Sequence, residues 1–176
     1  TATRFALSPQ DSPPGLSVIT ADRIANSSAS SLPELLSREA GIVTRDSTGS
    51  PDVQIDLRGF GVSGDQNTLL LLNGQRLNEI ELVSQRWSAI PLESIERIEI
   101  LRGGGAVLYG GNATGGTINN RTRRPSKQSG GMLSVSGGEY NYRRYFGMYE
   151  TGEIGPWGTR AYINHIDVCN PAYPQG

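Results

Sequence analysis

Five of the nine residues from Gly103 to Gly111 are glycine. No other feature restricts the fold as much. Glycine takes left-handed backbone without steric cost and lets a second backbone approach closely. A run this dense marks a strand that leaves a sheet, turns tightly and lies against other backbone. Gly110-Gly111 and Gly115-Gly116 flank the loop that follows. A phosphate-binding role does not fit the same run. Gly105 to Gly110 has the spacing of a phosphate loop, but Gly111 and Asn112 stand where Lys and Ser or Thr are needed. The dinucleotide pattern starting at Gly103 fails at Leu108.

The rest of the chain reads as short elements. Residues 1–16 are rich in Ser, Pro and Asp, end near Pro13-Pro14-Gly15 and suggest an extended arm. Ser17-Val18-Ile19 is a strand candidate. Thr20 or Asp22 can cap a helix through Ala21–Asn26, and Ser31 can cap another through Leu32–Arg38 with Pro33 in its first turn. Val53, Ile55 and Leu57 alternate with polar residues, as in a half-buried strand. Gly59–Asp65 reads as a flexible loop. Thr68–Leu72 suits a strand buried on both faces, and Asn73-Gly74 makes it the first arm of a hairpin with Gln75–Leu77. Residues 78–89 form a mixed loop holding Arg86 and Trp87. Pro91 opens a short helix over Leu92–Ile95, Ile98 to Leu101 shifts to strand, and Ala106–Tyr109 is a short apolar turn. Thr117-Ile118-Asn119 resumes a strand.

A change of texture follows Arg121, Arg123, Arg124 and Lys127, a basic knot in a chain of net charge −1. Beyond it, Met132–Ser136, Tyr142–Thr151 and Thr159–Val168 are strand candidates separated by glycines, so hairpins are expected. Tyr140, Tyr142, Tyr145, Tyr149, Trp157, Tyr162 and Tyr173 fall here, and such residues suit a boundary between apolar and wet surroundings. An ordinary aromatic-rich sheet is the other reading.

Composition excludes several functions. The near balance of charge argues against a broad nucleic-acid surface. No apolar stretch is long enough for a membrane-spanning helix. Cys169 is the only cysteine and His165 the only histidine. Thiolate zinc sites and multi-histidine metal sites are therefore out of reach, and no acid–base constellation suggests an enzyme. Arg58 and Arg102 each end a strand beside glycines, and Glu99 stands three residues before Arg102. Positions i and i+3 of a strand face opposite sides. Glu99 and Arg102 need not pair with each other. An internal Arg–Glu pair and docking to a surface outside the domain both remain open.

The run Ile90-Pro91-Leu92-Glu93-Ser94-Ile95-Glu96-Arg97-Ile98-Glu99-Ile100-Leu101-Arg102-Gly103 resembles the plug domain of TonB-dependent outer-membrane receptors. So does its continuation, from Leu108-Tyr109-Gly110 to Thr114-Gly115-Gly116-Thr117-Ile118-Asn119. Ser17-Val18-Ile19-Thr20, Ile55-Asp56-Leu57-Arg58-Gly59-Phe60-Gly61 and Leu71-Leu72-Asn73-Gly74-Gln75-Arg76-Leu77 match in the same order. Two departures stand out: Gly104 replaces a frequent Pro, and Asn119-Asn120-Arg121 replaces an apolar run.

The resemblance implies an α+β fold: a small mixed β-sheet plug with short helices and long loops, over residues 17–125 after the arm 1–16. Residues 126–176 would be the start of an outer-membrane β-barrel, as antiparallel hairpins. A plugged barrel of about 22 strands needs well over ~200 residues, so this chain is expected not to close one. The resemblance also implies a plug that sits within the barrel, facing the periplasm, binds a scarce ligand and gates TonB-energised uptake. Its partners would be TonB, the receptor's own barrel and a ferric siderophore or similar iron chelate, with no resident cofactor or metal. Thr1-Ala2-Thr3-Arg4 resembles the stretch just after the TonB-contacting segment, so that segment is expected to lie outside the sequence. Arg58, Phe60, Asn78, Arg86 and Trp87 are the expected ligand contacts. Arg58, Glu99 and Arg102 are the expected anchors to the barrel wall. A free-standing plug-like binding protein is the alternative.

Overall fold

The computed structural model describes residues 15–45, 52–77, 87, 90–103, 113–138, 142–154 and 157–167. The chain divides into two compact units, Thr1–Arg123 and Arg124–Gly176.

The first unit is built on a five-stranded mixed sheet. Its strands are β1 (Leu16–Thr20), β4 (Thr68–Leu72), β5 (Gln75–Arg76), β6 (Ile95–Arg102) and β7 (Gly116–Thr122), in the order β1-β6-β7-β4-β5. Only β4 and β7 pair in parallel; the other neighbours are antiparallel. A separate two-stranded ribbon pairs β2 (Ile42–Arg45) with β3 (Gln54–Leu57). The helices are short: α1 (Ala21–Ala25), α2 (Leu32–Ser37) and α3 (Gly64–Asn67). Thr20 caps α1 by accepting from the Arg23 amide, and Ser31 caps α2 by accepting from the Glu34 amide. Ser30 adds a second tie at the start of α2, donating to the Glu34 carboxylate through both its amide and its hydroxyl.

One face of the sheet carries the core. Ile19, Leu70, Ile98, Ile100 and Ile118 meet Ile24 of α1, Leu32, Leu35 and Leu36 of α2, and Ile55 and Leu57 of β3. Burying each such side chain stabilises the fold by roughly 1.5–3 kcal/mol relative to exposure. Interior strand β4 is buried on both faces until Leu72. The hairpin after it turns at Asn73 and Gly74, with φ of 54° and 86°.

Two expectations change. The segment Gly59–Asp65 is not a flexible loop. Gly61–Ser63 forms a 3-10 turn running into α3, because the Asp56 carboxylate accepts the Phe60 and Gly61 amides. Asp56 is also buried, so β3 is not the half-exposed strand that its alternation suggests. The run Asn119-Asn120, which stands where an apolar run is usual, lies within the sheet. β7 continues to Thr122 with both asparagines buried, since each finds polar partners. Asn119 Nδ2 donates to Glu99 Oε2, its Oδ1 accepts from the Gly74 amide, and Asn120 Nδ2 donates to the Leu71 carbonyl.

The second unit is an antiparallel sheet of β8 (Gly130–Gly137), β9 (Arg143–Ile154) and β10 (Trp157–Asp167), with β9 central. Register separates its two faces. Leu133 lies opposite Gly147 and Gly147 opposite Ile163; Val135, Tyr145 and His165 form the next row. Leu133, Val135 and Ile163 are 88%, 74% and 71% exposed. The opposite face is polar and internally bonded. Arg160 pairs with Glu150 at 2.7 Å, Arg144 Nε donates to Asn164 at 3.0 Å, and Phe146 stacks on Tyr162. His165 is an exposed strand residue whose ring stacks on Tyr145.

Backbone also approaches closely at the entry to β7. A Cβ on Gly115 would lie 2.9 Å from the Leu57 carbonyl oxygen and 3.0 Å from that of Asn67. Gly115→Ala is therefore expected to destabilise the unit by about 1–3 kcal/mol, the usual cost of overpacking. A lower urea midpoint at unchanged slope would show it; an unchanged midpoint would contradict the close approach.

Candidate functional site

The glycine-lined end of the first unit gathers the charged strand ends. Arg58 follows β3 with φ of 74°, in the left-handed region. Holding a non-glycine residue there costs of order 1–3 kcal/mol and singles the position out. The Arg58 guanidinium is laid over Gly103 at the end of β6: a Cβ there would lie 2.7 Å from Arg58 Cζ. No carboxylate among the described residues pairs with Arg58. Phe60, 38% exposed, follows two residues later and reaches Gly115, whose Cβ would lie 3.2 Å from Phe60 Cε2. An exposed cation and a half-open aromatic ring thus share one end of the sheet. Together they can hold an anion and cover a flat apolar surface.

Glu99 and Arg102 are used differently from what their positions suggest. They do not pair with each other. Arg102 Nε donates to the Ala40 carbonyl at 3.0 Å and Arg102 Nη1 donates to the Ser17 hydroxyl. These bonds tie β6 to the turn before β2 and to β1. Glu99 is buried and accepts from Arg97 Nε at 2.9 Å and from Asn119 Nδ2 at 3.0 Å. For Glu99 the structure shows the internal Arg–Glu pair, with Arg97 as partner. Neither residue presents a vacant fork to an outside surface, because each is engaged within the unit.

Trp87 lies in the core at 1% exposure, among the cluster that includes Ile90 and Leu92. Its indole Nε1 has no hydrogen-bond partner among the described residues. At that depth its ring packs among the unit's own core residues. Asn78, Arg86, Cys169, the arm 1–14 and the turn Ala106–Tyr109 lie outside the described residues. Among the described residues no group of three His, Cys, Asp or Glu side chains could hold a metal ion, and no helix is long and apolar enough to cross a membrane. Sequence reasoning missed Asp56. Its burial was hidden by the polar–apolar alternation, and the signal for it was its place just before the turn-forming Arg58-Gly59.

Residues 8–117 match the family model described as the TonB-dependent Receptor Plug Domain, and the chain belongs to that family. The resemblance carried by Ile90–Gly103 and its neighbours holds. Among curated relatives, the vitamin B12 transporter BtuB of Photobacterium profundum is 32% identical over 90% of this chain and 26% of its own length. The ferric enterobactin receptor PirA of Pseudomonas aeruginosa is 34% identical over 69% of this chain and 18% of its own length. The chain thus spans about a quarter or less of these relatives. Among solved structures, a mutant of the ferric enterobactin receptor PfeA of Pseudomonas aeruginosa, in complex with enterobactin, matches with a TM-score of 0.67 at 27% identity. That match covers 88% of this chain and 25% of the receptor chain. These relatives are receptors and transporters, not enzymes.

The Glu99 cluster gives the unit a defined acid response. Burial pushes the Glu99 carboxyl up, but the hydrogen bonds from Arg97 and Asn119 outweigh it and hold it below the usual carboxylate range. A carboxyl lowered on folding adds stability that is full above its unfolded value. That stability is lost as pH falls through the folded value. Urea midpoints of the first unit are expected to drop from neutral pH into the acid range, and Glu99→Gln is expected to flatten that drop while lowering the midpoint at pH 7. Parallel pH profiles for the two proteins would contradict the pairing.

Proposed function

We propose that this chain is the plug portion of an outer-membrane active-transport receptor that binds a ferric siderophore and gates its TonB-energised uptake. The observation that carries the proposal is the unpaired, left-handed Arg58 beside Phe60 on a plug-family sheet. Arg58 faces the anionic charge of an iron chelate and Phe60 covers its flat ligand groups, with Asn78 and Arg86 completing the contact. Trp87 supports the site from within the core. The ferric enterobactin receptors among the relatives favour this ligand class.

The second unit fits the same reading. Its polar face, with Arg160–Glu150 and Arg144–Asn164, suits a wet barrel interior, and its face of Leu133, Val135 and Ile163 suits acyl chains. β8, β9 and β10 are then the first barrel strands, and the protein resides in the outer membrane with the plug inside the barrel, facing the periplasm. TonB is the partner that supplies energy through the N-terminal region. A second ligand reading, vitamin B12, is favoured by the match to BtuB over 90% of this chain.

Uptake by the full-length protein, made in a bacterium lacking its own enterobactin and B12 receptors, tests the proposal. Ferric enterobactin as sole iron source is expected to support growth with TonB present and not without it. B12-dependent growth instead would select the second reading, and growth on neither would overturn both. Arg58→Gly is expected to weaken ferric enterobactin binding at least tenfold while changing stability by under ~1 kcal/mol. Relief of the left-handed strain is offset there by the extra freedom of glycine in the unfolded chain. Unchanged affinity would remove Arg58 from the site.

A further inference from the structure

Asp56 belongs to none of the charge pairs described above. It is fully buried in β3, and no lysine or arginine among the described residues bonds to it. A buried carboxylate without a cation is retained at a cost unless hydrogen bonds satisfy it. Here two backbone amides do so: Phe60 N at 2.9 Å to Oδ1 and Gly61 N at 2.7 Å to Oδ2. Both donors belong to the turn that begins at Arg58. The other side of the carboxylate is closed by α3. A Cβ on Gly64 would lie 2.7 Å from Asp56 Cβ and 3.1 Å from its Cα. The helix can approach this closely only because residue 64 has no side chain.

This arrangement has a geometric consequence. Arg58, Gly59 and Gly61 all take left-handed φ, at 74°, 78° and 68°. Such a succession is unstable on its own, since a bulky residue like Arg prefers to leave that region. The two amides fixed on Asp56 lie immediately beyond the Arg58-Gly59 pair. Once they are held, the chain between β3 and the 3-10 turn at Gly61–Ser63 has little freedom left, and Arg58 must stay where its guanidinium reaches Gly103. The same amide bond sets the backbone from which Phe60 reaches Gly115.

We infer that Asp56 is a positioning residue for the ligand site: its buried carboxylate, gripping the Phe60 and Gly61 amides, holds Arg58 and Phe60 together at the glycine-lined end of the plug. The inference deepens the proposed function and rests on that reading of Arg58 and Phe60. Asp56 itself touches no ligand. It acts by keeping the two contacting side chains aimed before the ligand arrives, which lowers the ordering cost of binding.

The test uses the full-length protein in detergent, with ferric enterobactin and vitamin B12 as probes. Amide exchange is read at Phe60 and Gly61, and affinity is read by titration. Asp56→Ala is expected to speed exchange at those two amides at least tenfold, leave the β6 and β7 amides unchanged, and weaken binding of the recognised probe at least tenfold. Asp56→Asn, which keeps one acceptor oxygen, is expected to fall between wild type and Asp56→Ala. Adding Phe60→Ala to Asp56→Ala is expected to cost much less than Phe60→Ala does alone, because the ring is no longer aimed. A structural role without positioning would give additive losses and would overturn the inference. Wild-type affinity in Asp56→Ala would overturn it as well. Failure of the unsubstituted protein to bind either probe would instead overturn the reading of the site on which the inference rests. Faster exchange in β6 and β7 with Asp56→Ala would mark general unfolding and also overturn the positioning role.

Discussion

At the entry to β7 four stretches of backbone share one small space. The Gly115 amide donates to the Asn67 carbonyl at 2.8 Å, and the Gly115 carbonyl accepts from Gly103 at 3.0 Å. The carbonyl of Leu57 lies against the same residue. Through this contact the end of β6, the start of β7, the end of β3 and the end of α3 are fixed to one another. Each of these elements is too short to be stable alone. Their joint is what makes a sheet of short strands into one unit, and it depends on the absence of a side chain at position 115. The charged ends Arg58 and Arg102 then have fixed surroundings rather than a mobile loop.

The same economy governs polar groups inside the sheet. Glu99, Asn119 and the Gly74 amide form a chain of bonds that runs from β6 through β7 to the β4–β5 turn. Breaking one member leaves the next unsatisfied in a buried place, which costs about 1–3 kcal/mol for each orphaned group. Some are already unsatisfied: Thr117 Oγ1 and Asn120 Oδ1 have no hydrogen-bond partner among the described residues. The sheet interior of this unit is therefore more polar than its apolar core, and its strands are specified by hydrogen bonds as well as by burial.

Much of this was legible in residue order. Thr20 and Ser31 announce their helices because capping is local. Asn73-Gly74 announces its turn because left-handed φ is a local demand, and the run Thr68–Leu72 announces a strand covered on both sides. The glycine run from Gly103 signalled close approach, though not which backbone approaches, and Gly115 read only as flanking a loop. What the sequence concealed depends on distant partners. Asp56 reads as the outward residue of an alternating strand until the amides of Phe60 and Gly61 are seen to turn back onto it. Asn119 and Asn120 stand where an apolar run is usual, and only Glu99, Gly74 and Leu71 show how the sheet interior receives them. Trp87 reads as a ligand contact by the resemblance, yet its side chain is buried in the core. Of the expected ligand contacts, Arg58 and Phe60 come together; of the expected barrel anchors, Glu99 and Arg102 find partners in their own unit.

The account rests on β8, β9 and β10 belonging to a barrel that surrounds the first unit. A cryo-electron microscopy structure of the full-length protein in nanodiscs tests this most directly. The account predicts a closed barrel in which Leu133, Val135 and Ile163 face lipid and Arg144 and Glu150 face the lumen that holds the mixed sheet. A separate water-exposed domain formed by these three strands, with the mixed sheet outside any barrel, would contradict it.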